Sequence, residues 1–446
     1  MIIIILLLAY LLIRFRYSNL KPKEKKAIAQ LLLLFSAISI SILIINNISI
    51  NENSMFLHAP IYETEDLYGL DDQIGYYQAG VAIASGNIPI SSFYNHHASV
   101  YYLWNGVVLA TSPFYSILWP IFCNVILCLH LIFSLYIILR KNNNVAKTSL
   151  VICLLVAING AIIFNSISNY KDILLSTLIL GSILLWENYL ERSRNKLQAI
   201  KMFLLCSLIL ILVSGLRVFA VFIILAINGY YLIYMQKKTP QKIVLALCLL
   251  FISFVFIYIK FHPLLATNTI DYAVNLSAFN YGVDNWAQRR PEISAMAIDS
   301  RITTRFVLGM VRFLFFPLPF SFLNIIFDQE GVFSWRDFWT IEVSIVWSLI
   351  WPLAFLALFD KSYWKNRIVI TLFIWAISFL IIYSVMYLGS VDFRHKIPMF
   401  IFGTVIAVMK ISESRLKSNW INMAIMIYAL LATASCFWLF YGSEGI

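Results

Sequence analysis

PFYSILWPIFCNVILCLHLIFSLYIILRKNNNVAK, residues 113–147, is a long apolar run whose basic residues, Arg140, Lys141 and Lys147, all come at its C-terminal end. A helix over 113–139 reaches across a bilayer, which asks for about 20 apolar residues rising about 1.5 Å each. Further runs of spanning length lie near residues 2–17, 27–48, 147–166, 171–189, 199–215, 218–235, 242–260, 338–359, 367–388, 397–411 and 421–441. Together they predict about twelve transmembrane helices. Segment 304–327 is apolar too, but FFPLPF (315–320) places Pro317 and Pro319 inside it. Proline removes a helix donor and clashes with the preceding turn, so this segment reads as an interfacial or re-entrant element.

Composition agrees. Of 446 residues, 61% are hydrophobic and 12% charged, with mean hydropathy +0.83, which excludes a water-soluble globule because the apolar surface would have nowhere to go. All six cysteines (Cys123, Cys128, Cys153, Cys206, Cys248, Cys436) fall in apolar runs, so neither loop disulfides nor a paired-cysteine metal site is expected. The net charge of +11 is explained by membrane topology rather than by nucleic acid. RFRYSNLKPKEKK (14–26), RKNNNVAK (140–147), ERSRNK (191–196), KKTPQK (237–242), DKSYWKNR (360–367) and KISESRLK (410–417) fall on one side in a single alternation. The positive-inside rule makes that side cytoplasmic.

At the N-terminus, MIIIILLLAYLLIRFRY carries Arg14 and Arg16 after its apolar stretch, the reverse of a cleavable signal peptide. It reads as a retained first helix with its N-terminus outside. Its 13 or so apolar residues span only roughly 20 Å, which calls for snorkelling arginines or local thinning. The expected fold class is therefore all-α: a polytopic integral membrane protein, residues 1–446 forming one multi-pass domain. Two long outer loops, 49–112 and 261–337, carry interfacial helices, and short outer turns lie at 166–171, 215–217 and 389–396.

The outer loops hold the chemistry. YETEDLYGLDDQIGYYQAGVAIASG (62–86) contains Glu63, Glu65, Asp66, Asp71 and Asp72. The first three read as solvated loop. Asp71 and Asp72 open a helical pattern in which Ile74, Tyr77, Val81 and Ala84 share a face, where an aspartate serves either as an N-cap or as a functional group. The second loop includes Arg289, Arg290, Arg301, Arg305 and Arg312, an arginine-rich stretch suited to an anionic lipid phosphate. Beside the short outer turns lie Lys171 and Asp172, then Arg217, then Arg394, His395 and Lys396. Lys171 reads as a snorkelling or ligand-binding residue, and Asp172 as a partner of the helix dipole. Arg217 and the 394–396 cluster run against the positive-inside trend and point to an anionic ligand; for Arg217 the bland alternative is an interfacial anchor. His96 and His97 have no third ligand at metal-site spacing.

LDDQIGYYQAGVAIASG (70–86), NYKDILLSTLIL (169–180) and FRHKIPMFIFG (393–403), set in this helix layout, resemble the GT-C class of membrane glycosyltransferases and are similar to the O-antigen polymerases. The resemblance covers the layout and about forty residues of motif. It implies a polyprenyl-phosphate-linked sugar donor and an acidic residue of the first outer loop that acts as base or helps hold a divalent metal. That role falls on Asp71 or Asp72. It also implies a donor-phosphate ligand at Arg394, with Lys171, Arg217 and His395 as further candidates. Two departures stand out: the acidic motif follows the second helix rather than the first, and the chain ends at SEGI without a large soluble domain.

The expected protein is a bacterial inner-membrane glycosyltransferase, with the repeat-unit polymerase of O-antigen or capsule assembly as its specific form. Its partners are a polyprenyl-phosphate-linked sugar or oligosaccharide, membrane lipid and other polysaccharide-assembly proteins, with no nucleic acid. No phosphate loop is present to bind a nucleotide sugar. The aromatic content of 16% suits sugar stacking and interfacial anchoring equally. The rival reading is a transporter or flippase of lipid-linked oligosaccharide, for which mid-membrane charges and internal repeats are the signature. A non-catalytic accessory subunit is the third.

Overall fold

The structure, a computed structural model, describes residues 1–51, 72–89, 98–142, 145–191, 196–217, 219–235, 335–387 and 393–413, with 306–307, 309–310 and 313–314. Asp71, Arg289, Arg290, His96, His97, the two prolines of FFPLPF and the runs 242–260 and 421–441 lie outside the described residues. Secondary structure among the described residues is entirely helical. The chain divides into a first unit, Met1–Leu245 with Asp328–Trp339, and a second, Ala246–Phe327 with Thr340–Ile446.

The first unit contains α1 (Ile2–Arg16), α2 (Pro22–Asn51), α3 (Asp72–Ala84), α4 (Ser99–Ala110), α5 (Leu118–Lys141), α6 (Ala146–Ala157), α7 (Gly160–Ser166), α8 (Asp172–Glu191), α9 (Lys196–Leu216) and α10 (Ala220–Met235). The second contains most of α11 (Trp335–Leu358), then α12 (Arg367–Tyr387) and α13 (Ile397–Glu413). Among the described residues, five helices are long and apolar enough to cross a membrane: Pro22–Ile45 of α2, α5, α8, Leu197–Leu216 of α9 and Arg367–Ser384 of α12. The pair α6 and α7, bent by 61°, makes a sixth if it is one span. The bend falls at Ile158–Asn159, where the Asn159 side chain caps α7 by accepting from the Ala161 amide at 3.0 Å. A short polar residue that can bond its own backbone thus breaks the apolar run 147–166 in two.

The opening segment forms the centre of the first unit. α5 is apolar all round, and such a helix is stable only when enclosed. It packs against α1, α2, α4, α6, α7 and α8, and nearly all its side chains are buried. α1 lies along α5 in the same direction, and its Arg14 is turned into the bundle: the guanidinium donates to His130 Nδ1 at 3.2 Å and Ser134 Oγ at 2.9 Å. Since arginine only donates, Nδ1 accepts and Nε2 carries the ring proton, which it donates to the Leu7 carbonyl at 3.0 Å.

Polar contacts mark the two ends of this bundle. At one end Arg140 pairs with Glu24 at 2.9 Å, Lys141 pairs with Glu191, and Asn142 donates to Glu187 at 3.2 Å. All but Glu187, one turn inside α8, belong to the basic loops read as cytoplasmic, so the loops 14–26, 140–147 and 191–196 share one end. At the other end lie Ser166, Lys171, Asp172 and Arg217, and Ser39 of α2 meets Ser166 there.

α3 and α4 pack as a pair. Along α3, Gln73, Ile74, Tyr76 and Gly80 are buried, Ile83 meets Gly106, and Tyr77 is half-buried and bonds the Tyr115 carbonyl at 3.3 Å. The closest approach is at glycine. A Cβ on Gly80 would sit 2.6 Å from Asn105 Cβ and 3.1 Å from its carbonyl carbon, so α4 can lie against α3 only along that line. Gly80→Ala is expected to lower thermal stability by about 1–3 kcal/mol through overpacking. An unchanged melting temperature in detergent would refute that packing.

In the second unit, Trp347 of α11 stacks on Trp351 at 4.9 Å, meets Phe400 of α13 edge-on at 4.8 Å and donates to the Leu314 carbonyl at 2.7 Å. Between α11 and α12, Asp360 accepts from Lys410 Nζ at 2.6 Å and from the Ser362 hydroxyl and amide at 2.7 and 3.0 Å. The Lys410 ammonium first, and Ser362 second, hold the Asp360 carboxyl well below its ordinary value of 3.8. A depressed carboxylate contributes its full stabilisation above the ordinary value and loses it as pH falls through the folded one. Below about pH 4 the melting temperature of the wild type should therefore fall more steeply than that of Asp360→Asn, and parallel curves would remove the pair from the stability of this unit.

Candidate functional site

At the end of the first unit opposite the basic loops, the turn Ile167–Lys171 joins α7 to α8 and is bonded from three helices. Asn124 of α5 donates to the Ser168 carbonyl at 2.7 Å, the Tyr170 carbonyl at 3.1 Å and the Tyr101 hydroxyl at 3.2 Å. Tyr101 of α4 donates to Asn169 Oδ1 at 2.9 Å. Gln73 of α3 accepts from the Asn169 amide at 2.9 Å and donates to the Tyr170 hydroxyl at 3.2 Å, while its carbonyl accepts from Asn169 Nδ2 at 3.3 Å. Buried amides are held this way because each unmade bond costs the full desolvation of the group.

This turn presents the charged residues. Lys171 is 4% exposed, and its ammonium lies 5.4 Å from the centre of the Tyr76 ring, a cation–π contact. Tyr76 in turn meets Tyr101 edge-on at 4.8 Å. Asp172, the first residue of α8, accepts from Arg217 at 2.9 Å, with the two side chains 5% and 10% exposed. α8 has 20 residues and α9 has 21, so a descending helix and a returning one bring Asp172 and Arg217 level. Lys171 and Arg217 supply two positive charges and Asp172 one negative charge. Asp72 opens α3 immediately before Gln73, so its backbone is held one residue from these bonds.

Sequence reasoning placed Lys171 and Arg217 at this end but left Asp172 as a dipole partner. The equal lengths of the two apolar runs, with Asp172 at the start of one and Arg217 at the end of the next, were the signal that pairs them. Gln73, Tyr101, Asn124 and Asn169 carried no such signal.

The second unit holds the other basic group. Phe393–Lys396 form a 3-10 turn leading into α13, with Arg394 on its backbone. His395 stacks on Tyr383 at 4.6 Å, and Tyr383 stacks on Phe313 at 5.7 Å. Lys396 is fully buried, its ammonium 5.2 Å from the Phe313 ring centre. This lysine was read only as part of the cluster.

No family model matches the chain, and no curated protein matches it. Among solved structures it is similar to the archaeal oligosaccharyltransferase AglB from Archaeoglobus fulgidus, determined in complex with an inhibitory peptide and a dolichol-phosphate. Identity is 14% and the TM-score 0.44, over 93% of this chain and 56% of that one. The chain thus spans little more than half of that protein's length. A score of this size does not establish a shared fold, and the chemistry rests on this chain's own residues.

Among the described residues no three His, Cys, Asp or Glu side chains come together, and Asp172 is engaged by Arg217; Asp71 and the rest of the acidic loop lie outside them.

Proposed function

We propose that this polytopic membrane protein is a glycosyltransferase that takes a sugar or oligosaccharide from a polyprenyl-phosphate carrier at the outer membrane face. The observation that carries this reading is the gathering of Lys171, Asp172 and Arg217 at the end of the bundle opposite the basic loops, beside the start of α3 where Asp72 sits. Two positive charges beside one negative at the less basic end of a membrane protein suit an anionic ligand.

In this proposal Asp72, with Asp71 beside it, takes the proton of the acceptor hydroxyl as that oxygen attacks the anomeric carbon. The bond from that carbon to the phosphate breaks, and the carrier leaves as the lipid phosphate. Lys171 and Arg217 offset the charge that develops on it, and Asp172 fixes the guanidinium in place. In full form the protein has about twelve spans, resides in a bacterial inner membrane and serves surface polysaccharide assembly, with repeat-unit polymerisation as its specific reaction. Arg394, His395, Arg289 and Arg290 remain the further proposed ligands of carrier phosphate, and membrane lipid and other assembly proteins its proposed partners.

The deciding experiment uses purified protein in liposomes with a short-chain polyprenyl-phosphate-linked sugar or oligosaccharide. A new glycosidic bond with release of the lipid carrier supports the transferase. Movement of labelled lipid across the bilayer without bond formation identifies a flippase instead and overturns this reading.

A further inference from the structure

Gln73 and Asn169 are chain neighbours of the proposed chemistry: Gln73 follows Asp72, and Asn169 lies two residues before Lys171. Both are buried, and Gln73 reaches this turn with three groups at once, its amide oxygen to the Asn169 N–H, its amide nitrogen to the Tyr170 hydroxyl and its carbonyl to Asn169 Nδ2. Tyr101 closes on the far side of Asn169, and Asn124 holds the carbonyls on either side of it. Consecutive Cα atoms are about 3.8 Å apart, so bonds made at Gln73 and Asn169 set the distance from the Asp72 backbone to Lys171 and Asp172 with little slack.

α3 has no covalent tie to α8 near this point: 96 residues separate Gln73 from Asn169. α3 and α4 approach closely at Gly80, against Asn105, and at Gly106, against Ile83, which sets α3 on α4. The bonds of Gln73 set α3 on the turn before α8, and a slide of one residue would break all of them together.

We infer that Gln73 and Asn169 form a latch that registers the Asp72 end of α3 against the Lys171–Asp172–Arg217 cluster, both acting as positioning residues. This rests on the glycosyl-transfer reading. Gln73→Leu removes the two side-chain bonds, and a displacement of about 1 Å at the reacting groups lowers turnover about a hundredfold. The expected signature is a fall in kcat with KM for the lipid-linked donor unchanged. Gln73→Glu, which keeps an acceptor for the Asn169 N–H and receives the Tyr170 hydroxyl as donor, restores most of the rate. In an Asp72→Asn background Gln73→Leu costs nothing further, because the group it positions is gone.

Rates are read per folded protein, after size-exclusion recovery of each variant from membranes. If the leucine variant does not accumulate, Asn169→Ser carries the same test, since it leaves the backbone bond and shortens the side chain away from Tyr101 and Gln73. Loss in Asp72→Asn with normal turnover in the folded latch variant overturns the latch alone. So does a latch defect of equal size in both backgrounds. Full activity of Asp72→Asn overturns the latch, and full activity of both Asp72→Asn and Asp71→Asn overturns the transfer reading with it.

Discussion

Asp172→Leu or Arg217→Leu, made singly, strands a buried charge and is expected to cost about 3–5 kcal/mol, whereas the double leucine variant should be close to the wild type in stability. Breaking one partner leaves the other desolvated with no counter-charge, while removing both deletes the desolvation cost along with the attraction. In detergent the melting temperatures should therefore rank wild type and double variant together and both singles well below. The double variant is nevertheless expected to be inactive in transfer, since it has lost the guanidinium and the carboxylate that orients it. Singles as stable as the double would mean that the 2.9 Å pair is not a buried unit. An active double variant would take Arg217 out of the proposed chemistry.

Asp72→Asn should show the opposite pattern. An asparagine keeps the shape of the aspartate but cannot accept a proton at neutral pH. Melting temperature is expected to stay at the wild-type value while transfer falls by about 10²–10⁴-fold, the usual contribution of a positioned general base. If Asp72→Asn is fully active and Asp71→Asn is not, the base is the preceding residue; if both are active, the acidic loop is structural. The two results together separate a carboxylate that holds a cation, Asp172, from one that acts on a substrate, Asp72.

Much of the architecture was legible without coordinates. α5 spans 118–141 where the apolar run was read over 113–139, and α8 begins at Asp172 where a helix start was expected. The loops read as cytoplasmic at 14–26, 140–147 and 191–196 come together through Glu24–Arg140 and Lys141–Glu191. The bend at Asn159 was not foreseen, because hydropathy averages over a run and takes no account of one capping side chain. The close approach of α4 to Gly80 through Asn105 was not foreseen either, since it is a contact between two separate helices.

What the amino-acid sequence determined by itself is the apolar runs of spanning length seen in α2, α5, α8, α9 and α12, and the gathering of the basic loops 14–26, 140–147 and 191–196 at one end. The bilayer enforces both locally: a run must be about 20 apolar residues long, its backbone must bond to itself, and its flanking charges must stay out of the hydrocarbon. Tertiary structure alone decided which charges meet. Asp172 finds Arg217 because α8 and α9 return to the same level, and Gln73 finds Asn169 because α3 lies across the turn between α7 and α8. Such pairings depend on helix length, rotation and packing together, and no local rule of composition encodes them.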